Sequence, residues 1–189
     1  MPHPTLQPLF DLLHQMRTMI ERLDDIDYAT PAPGRTRGGI GGHVRHCLDH
    51  VSALLAGTRT GLCAYDRRQR GTDVETSRAA AIDAITDVMI DLLHLDTAAL
   101  DSEVFVETQL DPSGAMVITR SSVGREVAFL VSHTIHHNAI VGQMMRARGL
   151  DVAPRFGVAP ATPPDAARGR PLDSAHGKPT DRGTLVCVR

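Results

Sequence analysis

Apolar residues return every three or four positions in four separate stretches of this 189-residue chain. That is the repeat of a helix with one buried face, and four such stretches restrict the fold to helices packed on helices. The first helix is predicted over 5–26, where Leu6, Leu9, Leu13, Met16, Ile20 and Leu23 make one stripe. Prolines and glycines over 30–39 interrupt the pattern and predict a loop. The second helix is predicted over 39–56 on Ile40, Val44, Val51, Leu54 and Leu55, with Gly57 closing it. The third begins at Thr72 or Asp73, because Thr72 and Glu75 have the spacing of a capping box. Ile82, Ile85, Val88, Met89, Leu92 and Leu93 supply its buried face. The fourth is predicted over 122–147, with Val127, Leu130, Val131, Ile140, Val141 and Met144 facing inward.

Between the third and fourth helices the period changes to two. Val104, Val106 and Thr108 alternate, Asp111-Pro112-Ser113-Gly114 is turn chemistry, and 116–119 has strand character. The expected fold is therefore all-α: an antiparallel four-helix bundle with a short β-hairpin over 103–119 between helices 3 and 4. The bundle is expected to occupy 1–158, with Phe156 docked on it. A flexible tail is expected over 159–189, where Pro, Gly, Ala, Asp and Arg displace large apolar groups.

Composition narrows the function classes. A net charge of −2 points neither to nucleic acid nor to an anionic membrane surface. No apolar run approaches the ~20 residues of a membrane span, and the Pro-rich first ten residues do not resemble a secretion signal. The three cysteines, Cys47, Cys63 and Cys187, have no pairing pattern, which suits a reducing cytoplasm. Cys47 is expected as a small buried core residue.

The ten histidines are many for this length, and six of them are clustered. His43, His46 and His50 lie on the second predicted helix; His133, His136 and His137 lie on the fourth. Residues four apart on a helix are about 40° apart around its axis and one turn apart along it. His133 and His137 can therefore converge on one ion from the face that carries Leu130 and Met144. His136 can replace His137 but sits nearer the edge of that face. His43 and His50 are about 10 Å apart along the axis, too far to share an ion, so one of the three is expected as a ligand. His46, in the middle, is slightly favoured, with His43 and His50 as secondary candidates. Three imidazoles with open positions describe a catalytic centre more than a structural one. Such ligands suit zinc, nickel or iron. A bound divalent ion lowers the pKa of coordinated water towards ~7 or ionises a thiol.

The segments Gly42-His43-Val-Arg-His46-Cys-Leu-Asp-His50 and Ser132-His133-Thr-Ile-His136-His137-Asn-Ala139, on their two helices, resemble the DinB-like superfamily over residues 5–150. The resemblance implies one divalent metal on His46, His133 and His137. It also implies chemistry of the kind seen in relatives that are S-transferases or isomerases using bacterial low-molecular-weight thiols, or that supply iron ligands in sulfoxide synthases. The expected partner is a small molecule, such as a low-molecular-weight thiol, with transfer or hydrolysis as the reaction. A non-catalytic metal-binding or stress-associated module is the alternative, and a homodimer is permitted by outward Leu and Met positions. The polar block Tyr65-Asp66-Arg67 offers candidate catalytic groups: a carboxylate clamp at Arg67, or at the nearby Arg70, and proton transfer at Tyr65 or Asp66.

Overall fold

In the computed structural model, which describes residues 2–31, 39–67 and 70–163, helix α1 spans Gln7–Ile20. Pro8 lies in its first turn, where a missing N–H removes no helical bond. Leu9, Leu13, Met16 and Ile20 are fully buried, as the stripe requires. The helix stops six residues before the predicted end. The Asp24 carboxylate accepts from the Asp27 N–H at 2.7 Å and starts a separate short helix, α2 (Asp25–Ala29). Leu23 remains buried, so the apolar period crosses a break in the backbone without recording it.

Helix α3 spans Ile40–Thr60, a turn longer than predicted. Gly57 does not close it. Gly61, in the left-handed conformation (φ 77°), returns its N–H to the Gly57 carbonyl and ends the helix. Gly57 serves packing: a Cβ there would lie 2.3 Å from Cys63 Sγ. Helix α4 spans Arg78–Leu93, with Ser77 as N-cap. The capping box predicted at Thr72 does not form. Asp73–Glu75 is a 3-10 turn, and Glu75 instead takes the Gly71 N–H at 2.8 Å and Arg45 at 2.7 Å. Leu93, predicted to be buried, is exposed at the end of α4.

Strands β1 (Leu62–Ala64), β2 (Glu103–Gln109) and β3 (Met116–Ser122) form one sheet in that order. The predicted hairpin is β2–β3. It gains a parallel partner in β1, which is too short to show alternation in sequence. Ser122 ends β3 and caps α5 (Val123–Arg146) through the Arg125 N–H. Phe156 is buried, and Gly157 (φ 70°) lets that segment approach α5 closely: a Cβ there would meet the Ala139 backbone at 2.3 Å.

The result is a mostly helical fold with a small mixed sheet. Among the described residues it has five α-helices, one more than predicted, since α2 is separate. α1 and α3 each pack on both α4 and α5, around an aliphatic core. No helix of the described residues is long and apolar enough to cross a membrane. The chain divides into a unit ending at Ala159 and a second beginning at Pro160. All the elements above lie in the first unit. From 164 onward the expected tail lies outside the described residues.

Candidate metal centre

Because α3 packs on α5, the two histidine clusters face each other. His46 Nε2 and His133 Nε2 stand 3.1 Å apart. Ligand nitrogens of His46, His50 and His133 all lie within 4.8 Å of one another. Two nitrogens on a tetrahedral ion with bonds of about 2.05 Å would be about 3.3 Å apart, close to the observed pair.

His50 is buried, and its Nδ1 lies 2.9 Å from the His46 carbonyl oxygen. A carbonyl only accepts, so Nδ1 carries a proton, and in the neutral ring Nε2 keeps its lone pair. That is the tautomer of a metal-ligating histidine, oriented by a backbone carbonyl behind it. The His50 ring stacks on His133, with centroids 4.2 Å apart.

His137 borders this group, its ring centroid 4.6 Å from those of both His46 and His133. Its Nδ1 lies 3.0 Å from His43 Nδ1. Burial first, and then the neighbouring His133, His43, His136 and His50, push the His137 pKa down from 6.5 to about 3. It is therefore neutral at neutral pH, the form a metal ligand needs. His136 is exposed, edge-on to His137 at 5.3 Å. The fold thus brings together His43, His46, His50, His133 and His137 and leaves His136 at the rim. His50, a secondary candidate from sequence, stands in the tightest group of three. The donor set fits a divalent ion: inward imidazoles from two helices, one with its tautomer set by a carbonyl.

The polar block at 65–67 is split by the fold. Tyr65 is buried, and its ring lies parallel to His50 with centroids 5.1 Å apart. Its hydroxyl donates to Glu126 Oε2 at 2.8 Å. Burial, reinforced by Glu126, raises the phenol pKa well above its ordinary value, so Tyr65 is a neutral donor. Asp66 accepts from the Gln109 N–H at 2.8 Å and supports the end of β2. Arg67 forms a bidentate pair with Glu107 at 2.7 and 2.8 Å.

Glu126 was not among the predicted site residues. It is 1% exposed and receives Tyr65, Ser121 Oγ at 2.6 Å and Arg125 Nη1 at 2.9 Å. The available signal was its spacing: seven residues before His133, two turns along the same helical face. Cys47 is buried in the core as expected, and burial pushes its thiol pKa up. Cys63 is pushed up to about 11 by burial and then by Glu126. Neither is an activated thiol.

A mostly helical fold carrying a convergent imidazole group between two of its helices defines a class of candidate metalloprotein. Among solved structures, a DinB-like protein from Bacillus subtilis is similar to this chain, with a TM-score of 0.59 and 15% identity over 80% of this chain and 96% of that one. The chain has the DinB-like fold. No protein-family model matches it. A curated protein, FK506-binding protein 5 of Rhizopus delemar, is 31% identical over 115 residues. That match covers 60% of this chain but only 30% of the relative's length.

Proposed function

We propose that this protein is a metal-dependent catalyst acting on a small molecule by transfer or hydrolysis. The observation that carries this reading is the 3.1 Å approach of His46 Nε2 to His133 Nε2 from two helices. These two residues form the common pair of the ligand set. His137 is the third ligand that the DinB-like resemblance implies; His50 is the third by proximity and tautomer. A divalent ion there would supply an ionised water or thiol at neutral pH. The chain's own residues supply the setting. The carbonyl of His46 orients His50, and Tyr65 covers the His50 ring while donating to Glu126. Phe129, with its ring centroid 5.5 Å from that of His133, limits water on that side.

One specific observation favours a second reading, a non-catalytic metal-binding module. His137 borders the group of His46, His50 and His133, its ring centroid 4.6 Å from those of His46 and His133; with His137 as a fourth ligand, the closed site would keep no position for a substrate.

Metal analysis of protein made without a histidine tag tests the shared premise. About one ion per chain is expected, falling to none in His46→Ala/His133→Ala; undiminished metal in that variant would end both readings. His50→Ala and His137→Ala, compared singly, identify the third ligand by the larger loss of affinity. Cobalt-substituted protein separates the readings. A visible spectrum that changes on adding a small thiol such as 2-mercaptoethanol shows an open position; an inert spectrum supports the closed module.

A further inference from the structure

The β2–β3 hairpin does more than connect α4 to α5. One face of it, with Val106, Thr108, Val117 and Thr119 in cross-strand register, stands over the first turns of α5. The space between is a cavity of about 360 Å³, within the range of small-molecule sites. Its wall toward the histidines is made of Tyr65 and Phe129, the same rings that touch His50 and His133.

The chemistry of the lining is asymmetric. Glu126 is the carboxylate of the cavity, and both its oxygens are taken, Oε2 by Tyr65 and Oε1 by Ser121 and Arg125. A cationic guest would have to compete with these three donors for it. Donors are left. Arg125 spends Nη1 on Glu126 and rests over the Phe129 ring, with Cζ 5.8 Å from the centroid. Its remaining N–H groups meet no protein acceptor among the described residues. Arg120, by contrast, is engaged by Glu103 through two nitrogens. Val106, Val117 and Leu110 make the rest of the surface apolar, with the Thr108 and Thr119 hydroxyls between them.

We propose that this cavity binds a small amphipathic anion, its charged group on Arg125 and its apolar body along the inner face of the hairpin. The Arg125 side chain is 67% exposed, and its contacts with Glu126 and the Phe129 ring bias it toward the cavity it lines, which lowers the cost of ordering it on binding. A molecule seated there abuts Tyr65 and Phe129, the rings that stand between the cavity and His50 and His133. The binding does not rest on the metal-centre reading.

The test is an NMR titration of the metal-free full chain with hexanoate, hexanol and hexylamine, probes that share an apolar chain and differ in charge. Saturable shifts for Thr108, Val117, Thr119 and Phe129 are expected with hexanoate, at least about tenfold weaker with hexanol, and absent with hexylamine. Arg125→Ala should weaken hexanoate about tenfold and leave hexanol unchanged. Thr119→Trp, which fills the cavity from an exposed strand without touching Glu126, should abolish both. Equal binding of hexanoate and hexanol, hexanoate shifts that are absent or lie elsewhere, or an unaltered Arg125→Ala would overturn the proposal. Metal content is measured separately on the same variants. Loss of the metal reading with hexanoate binding intact, or the reverse, is then read directly.

Discussion

Glu126 and His137 carry the sharpest consequences at the residue scale. The Glu126 carboxylate is buried with three donors on it, so Glu126→Ala strands the Tyr65 phenol and the Ser121 hydroxyl and releases the exposed Arg125 guanidinium to water. Losing charge-assisted hydrogen bonds of this kind costs about 2–3 kcal/mol, readable as a lowered urea midpoint. Tyr65→Phe removes one of those donors but keeps the ring on His50. It should destabilise by about 1–2 kcal/mol with metal content unchanged; loss of metal would show that the hydroxyl, not the ring, supports the site. His137 is a pH-dependent group. Its folded pKa is lowered from 6.5 to about 3, so between these values the unfolded chain binds the proton and the folded chain does not. The metal-free protein should therefore lose stability as pH falls from 6.5 towards about 3. His137→Gln should flatten that slope; identical slopes would show that burial of this imidazole contributes nothing.

At the scale of elements, the junction between α3 and β1 is the most constrained. Alanine normally stabilises a helix over glycine by about 1 kcal/mol. At Gly57 the sign reverses, because the added Cβ would lie 2.3 Å from Cys63 Sγ and 3.3 Å from the Cys63 backbone nitrogen. Gly57→Ala should lower stability by about 1–3 kcal/mol through overpacking. Cys63→Ala in the same chain should restore part of the loss, since the closest contact is the sulfur. A double variant no more stable than Gly57→Ala alone would place the strain in the backbone. This junction also shows where one-dimensional reading stops. Gly57 and Gly61 are equally plausible helix ends by residue type, and the choice depends on a strand of three residues that sequence periodicity does not register. Likewise Glu75 has the spacing of a capping box, but Arg45 on α3 and the Gly71 N–H take it.

For the molecule as a whole, an ion held between α3 and α5 would link residues 87 positions apart in the chain. A ligand that binds only the folded state stabilises it by about 2.7 kcal/mol at a hundredfold excess over its Kd. Zinc or nickel should raise the Tm of the full chain, EDTA should reverse the rise, and His46→Ala/His133→Ala should not respond. An equal shift in that variant would place the ion elsewhere. Several features of this molecule are determined locally. The apolar stripes of α1, α3, α4 and α5, the β2–β3 alternation and the two histidine clusters follow from side-chain period, because burial selects one face of each element. Ser122, as the cap of α5, is local in the same sense. The rest is decided in three dimensions. The partition of the imidazoles, with His46, His50 and His133 in one group and His137 turned towards His43, depends on how deeply α3 and α5 overlap. The division of Tyr65, Asp66 and Arg67 between a site wall and two structural contacts depends on where β2 passes, and Glu126 becomes a site residue only because the hairpin folds back over it. Helical period reports which face a residue occupies; the depth and partners on that face arise only once the elements are packed.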